Sequence, residues 1–168
     1  DMENELYLEA ARRLKLELVI ENVFFAHLTY VPIPTGVNEQ KSKPTQQSVS
    51  NLLERGIIPQ AIICRGEEIV TENVKQKISA FSNLDTQSVI SAVDVDNVYK
   101  IPELFFEQGL VDVINEKLNI NAKPQLHNWS TLTTKHQSQA QSITIAICGK
   151  YTALEDSYAS VVEAISHA

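Results

Sequence analysis

Residues 23–31 (VFFAHLTYV) carry no charge and are rich in β-branched and aromatic side chains. A run with no polar face reads as a strand buried on both sides, as in a parallel sheet. Pro32 and Pro34 end it. Residues 61–64 (AIIC) and 89–95 hold two further strands of the same kind. Between these runs the period changes from strand to helix. Leu6, Ala10, Leu14 and Leu18 recur every fourth residue, with Tyr7 and Ala11 beside them, which predicts an amphipathic helix over 4–19 whose apolar stripe faces inward. Pro44 stands at a natural first helical position, Val49, Leu52 and Leu53 form one face, and Gly56 is a stop signal, predicting a helix over 44–55. Thr71 can cap a helix over 72–82 with Val74, Ile78 and Phe81 inside, and Pro102 opens one over 103–117. Strands alternating with helices specify an α/β fold, a mostly parallel sheet flanked by helices.

From residue 119 to 142 the chain turns to Asn, Gln, Ser, Thr and Lys, and reads as a linker pinned at Trp129 and Leu132. A strand signal follows at 143–150 (ITIAICGK), then a helix over 154–167. One strand and one helix cannot bury such a strand alone. They read as the start of a second domain, and the chain as a segment of a larger protein.

The formal net charge of −7 over 168 residues argues against sequence-independent nucleic-acid binding, which needs a basic face. No uncharged stretch sustains an apolar run long enough for a membrane span, and the N-terminus shows no signal-peptide pattern. Cys64 and Cys148 lie in apolar runs without metal-ligand spacing, so both are expected as buried thiols in a reducing, cytoplasmic setting.

Lys41-Ser42-Lys43-Pro44-Thr45-Gln46 gathers two cations, two hydroxyls and an amide at a predicted helix N-terminus. Free N–H groups and the helix dipole favour anions there, and lysine suits phosphate as a point charge. The alternative is a solvated turn before a helix. Asp1, Glu3 and Glu5 either complement the dipole of the first helix or accept hydrogen bonds from ribose or base donors. Lys77 reads as a solvent-facing helical lysine. His27 reads as a core strand residue, and His127, His136 and His167 as surface residues. There is no GxGxxG, Walker or GxSxG motif.

Four stretches carry a resemblance to a known family: VFFAHLTYVP, KSKPTQQSVSNLLERGIIPQAIICR, DVDNVYKIPELFFEQGL and ITIAICGKYTALEDSYASVVEAI. They are similar to CTP synthases, in which KSKPTQ is typically KTKPTQ. The resemblance implies a partial amidoligase domain of the P-loop, dethiobiotin-synthetase-like kind over 1–118. A linker over 119–142 would follow, then the beginning of a class I glutaminase domain over 143–168. CTP synthases use ATP to phosphorylate the uracil O4 of UTP, and ammonia released from glutamine displaces the phosphate. The P-loop, the Mg²⁺ ligands and the glutaminase nucleophile would lie outside this chain, which would hold no catalytic residue of its own.

Position by position, the resemblance implies that Lys41, Ser42, Lys43, Pro44, Thr45, Gln46 and Lys77 bind UTP and CTP. Asp1, Met2, Glu3, Arg12 and Phe81 would contact CTP as feedback inhibitor, and Val93, Asp94 and Val95 would lie beside the adenine of ATP. Asn4-Glu5-Leu6 departs from the commoner Ser-Met-Pro at the inhibitor pocket. The implied partners are UTP, CTP, ATP and glutamine, with Mg²⁺ as cofactor and a homotetramer, extending to filaments, as the assembly. Two alternatives remain open. One is a non-catalytic nucleotide-sensing or oligomerisation module, the other an amidoligase of different specificity on the same fold.

Overall fold

The computed structural model describes residues 2–18, 22–137 and 143–167. They divide into two compact units, residues 1–137 and 138–168.

The first unit is an α/β layer built on three parallel strands in the order β1-β2-β3: β1 Ala26–Tyr30, β2 Ala61–Gly66 and β3 Val89–Val93. His27 lies opposite Ile62, and Ile62 opposite Val89. Helix α1 (Met2–Glu17) precedes the sheet, α2 (Lys43–Glu54) crosses from β1 to β2, and α3 (Glu72–Ser82) crosses from β2 to β3. After β3 come α4 (Ile101–Glu107), α5 (Leu110–Leu118) and α6 (His127–Gln137).

Burial explains the order. Val31, Val49, Ile62, Cys64, Val70, Val74, Ile78 and Val89 form one cluster, so α2 and α3 cover the same face of the sheet. Cys64 is buried as expected, and burial pushes its thiol up to about 11, which keeps it protonated and inert. His27 is half-buried against α2, its Nε2 2.9 Å from Ser48 Oγ, and burial holds its pKa below the ordinary value. The helix over 72–82 falls where the sequence puts it, and the strands and α2 within a few residues. Phe81 on α3 and Leu53 on α2, both expected inside, are exposed. The core is filled from one narrower face of each helix, by Val74 and Ile78 and by Val49 and Leu52.

Several expectations change. Strand β1 is shorter than 23–31 and buried on one face only: Thr29 and Val31 face α2, while Leu28 and Tyr30 are exposed. Among the described residues no strand covers its outer edge. The stripe Leu6, Ala10, Leu14 and Leu18 on α1 faces solvent, not the core. Leu8, Ala11, Arg12 and Lys15 form the inward side instead, because the anchors of α1 are charged. Arg55 donates to Glu5 at 3.0 Å, the Arg12 stem lies against Gly56, and Lys15 sits over the Phe25 ring at 5.4 Å.

The single helix expected over 103–117 is two, broken at Gly109, whose φ of +82° lies in the left-handed region. The polar stretch read as linker contains α6, which packs against the turn Val98–Lys100 and α4.

In the second unit, residues 143–149 pair with no strand among the described residues, and the helical segment consists of a 3-10 turn, Glu155–Tyr158, and α7, Ala159–His167. Cys148 is therefore exposed, contrary to expectation: without neighbouring strands the apolar run that should bury its thiol stays open. Ile143, Ile145 and Ile147 line a groove with Val162 and Ile165. No described helix is long and apolar enough to cross a membrane.

Candidate functional site

In a parallel sheet the loops after the strands converge at one edge, the carboxyl edge, where open α/β folds bind ligands. Here the loop after β1 carries Lys41 and leads into α2, β2 ends at Arg65 and Gly66, and β3 ends at Val93 before Asp94 and Val95. A cleft along this edge is lined by Leu28, Thr29, Tyr30, Pro44, Ser48, Arg65 and Asp94. Residues 41–46 and 93–95, far apart in sequence, thus lie on the same rim.

The helix end of the basic loop leaves its backbone donors without a side-chain cap. Pro44 occupies the first turn of α2, no acid lies in that turn, and the Ser42 side chain does not cap it. Ser42 Oγ accepts instead from Gln46 Nε2 at 3.3 Å, so the first-turn N–H groups keep no side-chain partner of that kind. Lys43 is exposed. Thr45 is 0% exposed and faces inward, its Oγ1 donating to Tyr30 O at 3.1 Å and lying 3.2 Å from Thr29 Oγ1. Its side chain locks α2 to β1 rather than reaching the cleft.

Lys41 Nζ lies 2.7 Å from Glu39 Oε2, and this contact, with a smaller contribution from the charge of Lys77, holds the Glu39 carboxyl below the usual range. Gln40 joins the same loop to α3. It is 8% exposed, donates from Nε2 to Ile69 O at 2.8 Å and accepts from Thr71 N at 2.8 Å. Thr71 is the N-cap residue of α3. One buried amide thus ties the loop of Lys41 to the helix of Lys77.

On the ATP side of the expectation, Arg65 donates from Nε to Asp94 Oδ1 at 3.1 Å, and Asp94 N donates to Gly66 O at 3.1 Å. The end of β2 orients the segment after β3. Sequence reasoning singled out neither Gln40 nor Arg65. The charge of Arg65 inside an apolar strand was the available signal for one; nothing local marks the other.

Of the residues assigned to the inhibitor pocket, Arg12 and Phe81 do not join this rim. Arg12 is held by Glu9 through two contacts of 2.8 Å and lies beside Gly56, at the far end of α2 from Lys43. The 12 residues of α2 span about 18 Å. Phe81, near the C-terminal end of α3, is partly exposed at that same amino edge. Met2 and Glu3 lie in the first turn of α1, and Asp1 lies outside the described residues. Among the described residues no three His, Cys, Asp or Glu side chains converge as metal ligands.

The family model described as CTP synthase N-terminus matches residues 1–120. The chain belongs to the CTP synthase family. The CTP synthase of Borreliella burgdorferi is 44% identical over 171 residues, covering 99% of this chain and 32% of the relative. That of Pyrococcus furiosus is 43% identical over 169 residues, covering 100% and 32%. The similarity to CTP synthases thus continues through the second unit, and the chain spans about a third of the length of the curated relatives it matches.

Proposed function

We propose that this chain is the nucleotide-holding segment of an enzyme that aminates UTP to CTP, a ligase of pyrimidine biosynthesis using ATP and glutamine. The observation that supports it most is the tie between the loop of Lys41 and the helix of Lys77 at the carboxyl edge, in a chain of the CTP synthase family.

In this reading Lys41, Lys43 and Lys77 hold the triphosphate of UTP or CTP, aided by the first-turn N–H groups of α2. Each cation on a phosphate oxygen makes a charge-assisted hydrogen bond. Ser42 and Gln46 present polar groups at the same turn, Pro44 sets its shape, and Thr45 positions the turn from below. Asp94, steadied by Arg65, and the backbone of Val93 and Val95 flank the adenine of ATP. Mg²⁺ would accompany the triphosphates and offset their charge. Residues 1–118 belong to the amidoligase domain, and residues 143–168 begin the glutaminase domain that supplies ammonia.

Asp1, Met2, Glu3, Arg12 and Phe81 serve the feedback inhibitor CTP. Because Arg12 and Lys43 lie at opposite ends of α2, that pocket is completed between copies in a cytoplasmic homo-oligomer. Glu3→Ala and Arg12→Ala should accordingly relax CTP inhibition more than they impair UTP use.

The test is CTP formation by the full-length protein. CTP should appear only when UTP, ATP and either glutamine or ammonia are supplied, and the 168-residue chain alone should produce none. Absence of CTP from the full-length protein under those conditions would end the reading.

A further inference from the structure

Helix α6 has a composition that gives it little reason to dock. Its sequence, HNWSTLTTKHQ, has one aromatic residue and one leucine, and Leu132 is exposed. Yet it packs against the turn Val98–Lys100 and against α4. Its buried contact is narrow: Thr133 is buried, and one turn earlier Trp129, 38% exposed, lays one side of its ring toward Tyr99. The Trp129 ring lies 5.9 Å from the Tyr99 ring with the planes at 40°, within the centroid range of interacting aromatic pairs.

Tyr99 lies in the loop that leaves β3 through Asp94 and Val95. Within that loop the hydrogen bonds are local. Asn97 Oδ1 accepts from Tyr99 N at 2.9 Å, and Lys100 Nζ donates to Asp96 Oδ1 at 2.6 Å. They shape the loop without tying its outer half to another element. The Tyr99 ring on Trp129 is a contact that does so. The same neighbourhood forms a cleft shared by Val95, Lys100, Leu104 and Thr133, so α6 supplies one wall behind the segment assigned to ATP.

We propose that α6 is a clamp on the loop after β3, and that Trp129 and Tyr99 are positioning residues for the adenine end of the ATP site. The inference rests on the assignment of residues 93–95 to ATP. It makes part of the stretch between the amidoligase and glutaminase regions a support of the nucleotide site.

The experiment compares Trp129→Ala, Trp129→Phe, Tyr99→Leu and Asp94→Ala in the full-length protein, measuring kcat, KM for ATP, KM for UTP and hydrogen exchange of residues 94–100. Trp129→Ala should raise the ATP KM by about three- to tenfold, the weight of one aromatic pair. It should leave kcat and the UTP KM within about twofold, speed exchange in 94–100, and be largely rescued by Trp129→Phe. Tyr99→Leu should behave as Trp129→Ala does, and it decides the matter if Trp129→Ala does not fold. If both leave the ATP KM and the exchange unchanged while Asp94→Ala raises the ATP KM, the clamp is wrong and the ATP assignment stands. If Asp94→Ala also leaves the ATP KM unchanged, the assignment of 93–95 falls and the clamp with it. An equal loss in every kinetic constant would mark Trp129 as merely structural and overturn the positioning role.

Discussion

Gln40 connects two parts of the candidate site that no local pattern connects. Its partners, Ile69 and Thr71, lie far along the chain, and both bonds form from a nearly buried amide. Gln40→Ala should lower stability by about 1–3 kcal/mol, two hydrogen bonds at their usual net worth, read from the denaturant midpoint. It should also weaken triphosphate binding more than a distant substitution of equal cost; an effect on stability alone would remove Gln40 from the site. Glu9 offers a separate check. Hydrogen bonds from Arg12 and Arg13 hold its carboxyl at about 2. The folded value is depressed, so the contribution is fully present above the ordinary carboxylate range and fades as pH falls toward the folded value. An NMR titration of Glu9 should find its midpoint near 2; a midpoint at about 4.3 would show the pairs are not formed.

At the scale of elements, the strands were legible because apolar, β-branched runs have few alternatives to burial. Helix α3 was legible for a similar reason: Val74 and Ile78 share one face and both are buried. Ile78→Ala should therefore cost about 2–5 kcal/mol in chemical denaturation, and a loss within about half a kcal/mol would contradict the core described here. The orientation of α1 was not legible. Leucines occupy more than one face of it, and what decides between them is Arg55, just past the end of α2, and the bare backbone of Gly56, neither of which a helical period reports. Gly56 has φ +75°, and a Cβ there would approach Arg12 Cδ to 3.2 Å. Gly56→Ala should cost about 1–2 kcal/mol from the left-handed backbone, measured the same way, and a neutral result would exclude that conformation. Helix α6 was missed because its residues are polar, and the Trp129–Tyr99 contact that docks it is tertiary.

Across the whole molecule, an acidic chain carries its basic loop, with Lys41 and Lys43, at the carboxyl edge of a parallel sheet. The candidate site was half legible. Residue types at 41–46 marked a candidate anion site directly, while Lys77 read locally as a solvent-facing lysine and was assigned to the nucleotide only through resemblance. The inhibitor residues were likewise legible as a group only through resemblance, and Arg12 lies apart from that rim, beside Gly56. Positioned cations on a triphosphate should bind in a salt-dependent way, since exposed charges are screened over about 10 Å at 0.1 M ionic strength. The most direct measurement is calorimetric titration of UTP into the full-length protein and its Lys41→Ala, Lys43→Ala and Lys77→Ala variants, with glutamine hydrolysis followed in parallel. Each substitution should weaken UTP by roughly ten- to a hundredfold, one charge-assisted contact of about 1.5–3 kcal/mol, and leave glutamine hydrolysis competent. Variants that bound UTP as tightly as the unsubstituted protein would place the triphosphate elsewhere and contradict the site.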